Sequence, residues 1–347
     1  MLKKALLIVV VVVVGSMGIL WLGAVRSLDW DRQYSKATAA LPEFAPKSSG
    51  LVQITAGTHT FRARVAGLGG ESGNLILLHG FPESSAMWIP LIEAAADSGY
   101  QVVAFDQRGY SPGARPDDVT EYSIDRLSAD VLAVADAVGF GEFHLVGHDW
   151  GSGVGWVLVL TRPERILTWT SLSIPHIAAF GAAISNDSDQ QRRSSYMLLF
   201  RTPWLPEQLF AFNNFRLMRS ALYAEHHQEQ LDEYLALFSE PGALTAALNW
   251  YRAATPGALP NPQVTRPVLF IWGNQDPAVG RAAVDGQRPH LPDDYTELEL
   301  DAGHWLMETH PDVVVPAVLE HLQKHRPLPG EVEGQPTSGA KKEKRYE

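Results

Sequence analysis

The chain of 347 residues contains no cysteine. Disulfides, thiolate metal sites and cysteine nucleophiles are therefore excluded. Its 12 histidines do not follow a metal-binding spacing such as H-E-x-x-H. The adjacent pair His226-His227 is typical of a solvated surface, because neighbours on a helix point in different directions. The sequence thus predicts neither a metal nor another cofactor.

Positive charge is also scarce. Lys and Arg number 28 against 39 Asp and Glu, which gives a net charge of −11. An acidic chain is repelled by phosphate backbones, so a nucleic-acid partner is not expected. A hydrophobic fraction of 46% and a charged fraction of 19% indicate a folded protein. The length allows one large domain, interrupted by a smaller one.

One long stretch lacks charge altogether. Residues 5–25, "ALLIVVVVVVGSMGILWLGAV", would span about 30 Å as a helix, the thickness of the hydrocarbon core of a bilayer. A cleaved signal peptide is the alternative, but its apolar region is usually about 7–15 residues long and no A-x-A site follows. The sequence therefore predicts a retained single-pass signal anchor, a transmembrane helix over residues 5–25.

The charges that flank this segment are nearly balanced. Lys3 and Lys4 precede it, whereas Arg26, Arg32 and Lys36 follow it. The positive-inside rule then favours a cytoplasmic N-terminus only weakly, with the rest of the chain exported. The pattern leaves the oligomeric state open.

Two further segments contain few apolar side chains that could be buried in a core. Residues 26–50 are polar and punctuated by proline, as in "LPEFAPKSSG", which predicts a linker. Residues 327–347 are rich in Pro, Gly and charge, which predicts a disordered tail.

The remainder alternates between short apolar runs and helix-period segments. "NLILLHG", "YQVVAFD", "FHLVGHD", "ILTWTSLSI", "PVLFIWG" and "YTELELDAG" are the predicted strands. This β-α-β alternation predicts an α/β fold with a mostly parallel sheet and helices on both faces, built from residues 51–174 and 266–326. Residues 175–265 carry no strand-like run and predict an inserted helical cap.

A motif stands after the third of these strands. "GHDWGS", residues 147–152, has the form of a nucleophile elbow, G-x-S-x-G, with Asp149 in place of serine. Gly147 and Gly151 permit a tight turn. Taken alone, Asp149 could equally be a helix N-cap.

Three other motifs follow strands in the order that this fold requires. "HGFP" and the residue after Asp149 offer the backbone N–H groups of Phe81 and Trp150 as an oxyanion hole. "WGNQDP" offers Asp276 as an orienting acid, and "DAGHW" offers His304 as the base. The order nucleophile, acid, base predicts the triad Asp149, Asp276 and His304.

"HGFPES", "GHDWG", "SIPH", "LNWYR" and "DAGHW" resemble the epoxide-hydrolase branch of the α/β-hydrolase superfamily over roughly residues 51–326. The resemblance implies the α/β-hydrolase fold and the opening of epoxides to vicinal diols through an ester on the nucleophilic aspartate. It also implies two cap tyrosines, which fall at Tyr196 and Tyr251. Tyr223 and Tyr234 are available alternatives.

The chemistry of the residues agrees with this resemblance. A carboxylate is ionised at pH 7 and attacks without a base. Attack on an ester would give an anhydride, whereas attack on an sp³ carbon gives an ordinary alkyl ester, which water activated by His304 can hydrolyse. Phe81, Trp150 and the two tyrosines are also the predicted substrate-binding residues.

Two alternatives remain open at this stage. A haloalkane or haloacid dehalogenase uses the same triad, but haloalkane dehalogenases often carry Asn at the position of Phe81, and fluoroacetate dehalogenases carry Arg at that of Trp150. The other alternative is a non-catalytic, membrane-anchored binding protein on the same scaffold, against which the intact triad speaks.

Overall fold

The computed structural model describes residues 33–223, 226, 228–254 and 263–326. The strands are β1 (Gly50–Ala56), β2 (His59–Ala66), β3 (Gly73–Leu78), β4 (Tyr100–Phe105), β5 (Phe143–His148), β6 (Ile166–Leu172), β7 (Val268–Gly273) and β8 (Tyr295–Leu300). They form one sheet in the order β1-β2-β4-β3-β5-β6-β7-β8. β2 is antiparallel to β1 and β4, and all other pairs are parallel, so the predicted mostly parallel sheet is confirmed.

The helices are α1 (Gln33–Ala39), α2 (Ile89–Asp97), α3 (Ile124–Ala137), α4 (Trp150–Thr161), α5 (Ile177–Asn186), α6 (Ser188–Arg193), α7 (Tyr196–Arg201), α8 (Leu205–Ala221), α9 (Gln228–Phe238), α10 (Ala243–Ala253), α11 (Arg281–Asp285), α12 (Leu306–Thr309) and α13 (Pro311–Lys324). α2 and α13 cover one face of the sheet, and α3 and α4 cover the other. Because both faces are covered, every residue of β5 and of β7 is buried; β7 is apolar throughout, and β5 is apolar except for His144 and His148.

The described residues between β6 and β7 form helices α5 to α10 and contain no strand. α8 is interrupted by Asn213, Asn214 and Phe215, whose φ angles of 49°, 54° and 58° are left-handed. Trp250 fastens this helical region to the sheet domain, because its indole N–H donates to the backbone oxygen of Arg108 at 2.8 Å. The ring of Phe81 in the sheet domain contacts aromatic rings from α7, α8 and α9 of the helical region, namely those of Phe200, Phe210 and Phe238.

Part of the expected linker is packed against the domain. α1 lies within residues 26–50, and its Tyr34 is only 6% exposed. The Tyr34 hydroxyl donates to Asp106 Oδ2 at 2.5 Å, and the Arg62 guanidinium lies 4.7 Å from the ring centre. Polar groups of the domain thus hold a segment whose composition indicated a free tether.

No helix in the described portion of the chain has the length and hydrophobicity needed to cross a membrane. The predicted anchor, residues 5–25, and the predicted tail, residues 327–347, lie outside the described residues.

Candidate active site

Asp149 lies in the turn between β5 and α4 with φ 50° and ψ −119°, a conformation that non-glycine residues adopt only under strain. The flanking glycines make this turn possible. A Cβ at Gly151 would lie 2.1 Å from the backbone oxygen of Leu78, and one at Gly147 would lie 2.6 Å from that of Gly151. The strained turn holds the Asp149 carboxylate at the carboxyl edge of the sheet, 8% exposed.

The two carboxylate oxygens of Asp149 face different partners. Oδ1 accepts a hydrogen bond from the backbone N–H of Phe81 at 2.8 Å. Oδ2 lies 3.6 Å from His304 Nε2. Trp150 is the first residue of α4, and the first N–H groups of a helix have no partner within the helix. One backbone donor, the Phe81 N–H, and the His304 imidazole therefore lie against the Asp149 carboxylate.

Asp276 orients His304 through the ring nitrogen that faces away from Asp149. His304 Nδ1 lies 2.7 Å from Asp276 Oδ2, and Asp276 is fully buried. Oδ1 of Asp276 accepts from the backbone N–H groups of Ala278 at 2.7 Å and Val279 at 3.1 Å. Asp276 follows β7 and His304 follows β8, so neighbouring parallel strands bring the pair together. These contacts fix the imidazole with Nε2 towards Asp149.

The charges in this triad stabilise one another. Burial would raise the pKa of Asp149, but the hydrogen bond and charge of His304 lower it below its ordinary value. Burial would lower the pKa of His304, but the charge of Asp276 and the contact with Asp149 raise it well above 6.5. Both shifts favour an ion pair between the Asp149 carboxylate and the His304 imidazolium in the resting site.

Removal of the Asp149 charge should make His304 easier to deprotonate. A nearby negative charge favours imidazolium, so Asp149→Asn is expected to lower the pKa of His304 by at least about one unit. An NMR titration of the imidazole of His304 in the two proteins measures this shift. An unchanged or higher pKa in the variant would contradict the electrostatic coupling of the pair.

Tyr196 and Tyr251 lie in the cap, on α7 and α10, near enough to Asp149 for its charge to act on both phenols. The Tyr251 ring centre is 5.0 Å from that of Trp150, 5.6 Å from that of Phe81 and 6.3 Å from that of Tyr196. Burial raises the pKa of both phenols above 10, and the charge of Asp149 adds to the rise. Both therefore keep their protons at neutral pH and are available as hydrogen-bond donors.

The two alternative tyrosines have other surroundings. The hydroxyl of Tyr223 donates to the backbone oxygen of Pro82. The hydroxyl of Tyr234 finds no partner among the described residues. After burial, the charge that most raises the pKa of each is Glu83, and Asp149 is not among the causes. These tyrosines face a different group of side chains.

The side chains around Tyr223 and Tyr234 include a cluster that the sequence analysis did not predict. Glu83 is fully buried, with Oε2 3.0 Å from His148 Nδ1, and His148 Nε2 lies 3.0 Å from the backbone oxygen of His304. The side chain of His226 has no exposed surface, so its predicted solvated position is wrong; His227 lies outside the described residues. Glu308 is 5% exposed. We call Glu83, His226 and Glu308 the buried triplet. The one feature of the sequence that could have indicated this cluster is Glu83, which stands within the motif "HGFPES".

A nucleophile turn after β5, an acid after β7 and a histidine after β8 of a mostly parallel sheet define an α/β hydrolase. The family model described as alpha/beta hydrolase fold matches residues 73–311. The chain belongs to this family, and its relatives place it in the epoxide-hydrolase branch that the motifs indicated.

Three relatives illustrate this placement. Epoxide hydrolase A of Mycobacterium tuberculosis is 32% identical over 307 residues, 76% of this chain and 95% of that protein. Epoxide hydrolase 4 of Homo sapiens is 32% identical over 293 residues, 77% of this chain and 80% of that protein. The crystal structure of epoxide hydrolase A from Mycobacterium thermoresistibile superposes with a TM-score of 0.66 at 27% identity, covering 80% of this chain and 98% of that one.

Proposed function

We propose that this protein is an epoxide hydrolase that opens epoxides to vicinal diols through a covalent alkyl ester on Asp149. One observation carries the proposal: an elbow carboxylate lies between the Phe81 N–H and His304, and the charge of that carboxylate acts on two cap tyrosines, the half-buried Tyr196 and the buried Tyr251. The epoxide-hydrolase relatives support the same reaction.

In the first step Oδ2 of Asp149 attacks an epoxide carbon, because Oδ1 is already held by Phe81. The carbon–oxygen bond of the ring breaks as the new ester bond forms. The departing oxygen takes a proton from Tyr196 or Tyr251, and general-acid assistance of this kind is typically worth about 10²–10⁴-fold. The rings of Phe81 and Trp150 bind the carbon skeleton of the substrate.

Ester formation itself releases the base for the second step. Because the ester is uncharged, the pKa of His304 falls, and its proton returns to the tyrosinate through solvent. Neutral His304 then takes a proton from water, and the resulting hydroxide adds to the ester carbonyl carbon.

The oxyanion that forms is stabilised by the N–H groups of Phe81 and Trp150. Collapse of this intermediate expels the second diol oxygen, which takes the proton from His304. The new carboxylic acid passes its own proton to His304, which restores the resting ion pair.

A single turnover in ¹⁸O-water tests the ester intermediate. Water attacks the carbonyl carbon of Asp149, so one label should enter the Asp149 carboxyl group and the first diol should be unlabelled. Mass spectrometry of the diol and of the peptide that carries Asp149 measures both. Label in the first diol, with none in the peptide, would refute the mechanism.

The cap tyrosines should act on ring opening. We expect Tyr196→Phe and Tyr251→Phe each to slow epoxide consumption in a single turnover at least about tenfold, and the double variant about 10²–10⁴-fold. Tyr223→Phe and Tyr234→Phe are the matched controls, since each removes one buried cap phenol, and their opening rates should stay within about threefold of the wild-type rate. Equal effects in all four single variants would contradict the assignment.

We propose further that residues 5–25 anchor the protein in a membrane, with the hydrolase domain exported. The support is the uncharged length of the segment. The protein should stay in the membrane fraction after an alkaline wash. A soluble mature chain that begins near Arg26 would instead identify a cleaved signal.

A further inference from the structure

We propose that the buried triplet, Glu83, His226 and Glu308, is a binding site for one divalent transition-metal ion, with Zn²⁺ as the best-fitting ion. Each residue offers one ligand atom, and these atoms all lie within 4.8 Å of one another. Carboxylate oxygen and imidazole nitrogen are ligands that zinc accepts, and three protein ligands leave a fourth position for water. This site is separate from the triad, and metal binding there does not depend on the substrate of the enzyme.

The ligand groups already face one another. Glu83 Oε1 lies 3.4 Å from His226 Nε2, and neither side chain has exposed surface. Oε2 of Glu83 is close to His148, so the two oxygens of this carboxylate have different neighbours. A ligand orientation fixed by a hydrogen bond from behind is a common feature of metal sites.

Glu308 gives the second, independent indication. It is 5% exposed, and its oxygens receive no N–H or O–H donor among the described residues; its one side-chain hydrogen-bond partner is the carboxyl group of Glu83, which requires a proton on one of the two glutamates. An ionised buried carboxylate without a donor is costly, because it loses the hydrogen bonds that water supplied. A cation bound between Glu308 and Glu83 would supply the missing interaction.

The two carboxylates of the buried triplet also favour a bound cation. When both are ionised, Glu83 and Glu308 bring two negative charges into a buried space. A divalent cation balances both carboxylates at once. The competing arrangement is a single proton shared between the two glutamates.

The proposed ion would join three parts of the chain. Glu83 belongs to the loop after β3, His226 to the cap between α8 and α9, and Glu308 to α12, directly after the His304 loop. The ring of Trp305 lies 5.0 Å from that of His226 and 4.9 Å from that of His304. Metal binding would therefore fasten the cap to the catalytic loop and stabilise the folded chain.

Metal titration of the purified full chain, first treated with a chelator, tests the proposal. Equilibrium dialysis should find one Zn²⁺ per chain, and Co²⁺ should give the visible absorption bands of a low-symmetry site. A concentration of about 100 times Kd should raise the melting temperature by at least about 3 °C.

Glu308→Gln and His226→Gln should each weaken Zn²⁺ binding at least about tenfold, because loss of even a hydrogen-bond partner behind a ligand typically costs about 10–100-fold in metal affinity. Glu320→Gln, an exposed position on α13, is the matched control and should bind as the wild type does. No stoichiometric binding by the wild type would overturn the proposal in favour of the shared proton. Binding that survives both variants would overturn it in favour of an adventitious site elsewhere.

Discussion

Asp149→Asn is expected to lower kcat/KM for epoxide hydrolysis by at least about 10⁴-fold, the scale found when a member of a catalytic triad is removed. An amide is a poor nucleophile towards carbon, and it lacks the negative charge that now pairs with His304. The backbone turn needs no change, because Asn tolerates a φ of 50° as well as Asp does. Steady-state kinetics measures the loss.

Asp301→Asn is the matched control for this substitution. Asp301 precedes the His304 loop, is exposed and accepts one hydrogen bond from Gln275 at 2.7 Å. It removes the same charge outside the site and should leave kcat/KM within about twofold of the wild-type value. Activity of Asp149→Asn within tenfold of the wild type, with the amide intact by mass, would mean that another group attacks the substrate.

His304→Gln is expected to separate the two half-reactions. Asp149 retains its charge and its hydrogen bond from Phe81, so the ring opens once per site. No base then activates water, and kcat should fall at least about 10³-fold. Rapid-quench measurement should show a burst of one equivalent of epoxide consumed, followed by almost no turnover.

His310→Gln serves as the control for loss of an imidazole near the same loop. His310 is part-buried, and its Nδ1 lies 2.8 Å from the hydroxyl of the neighbouring Thr309, away from the triad. This variant should show no burst and near-normal kcat. Slow, linear epoxide consumption without a burst in His304→Gln would contradict the role of His304 in the second step alone.

The parallel part of the sheet could be predicted because its physics is visible in short runs of sequence. Strands covered on both faces are mainly apolar, and β3, β5 and β7 are each followed by a motif that carries a triad or oxyanion-hole candidate. The order of the motifs along the chain then restricts the topology to few solutions.

The antiparallel hairpin β1–β2 was not predicted, and tertiary contacts explain why. Arg62 and Arg64 make β2 look polar, yet Arg62 is 7% exposed and pairs with Asp106 at 3.0 Å and Glu233 at 2.9 Å. Glu233 belongs to the cap, far away in sequence. Local alternation cannot reveal a strand whose charges are neutralised from such a distance.

Contacts between residues that are distant in sequence also explain why the buried triplet and the packing of α1 were not predicted. The side chain of His226 contacts Glu83, a residue 143 positions earlier in the chain, and Tyr34 donates a hydrogen bond to Asp106. A histidine pair and a proline-rich stretch look solvent-exposed when only their neighbours in sequence are considered. The roles of Tyr196 and Tyr251 stay predictions for a related reason, since the cap motifs are short and only kinetics can assign them.

Alkylation of Asp149 during turnover can be observed by trapping the alkyl ester. His304→Gln, incubated with an epoxide that the wild type hydrolyses, should be digested and analysed by peptide mass spectrometry. The peptide carrying Asp149 should gain the mass of one epoxide molecule, and fragmentation should locate this mass on Asp149. An unmodified peptide after epoxide has been consumed, or an adduct on another side chain, would contradict the alkylation of Asp149.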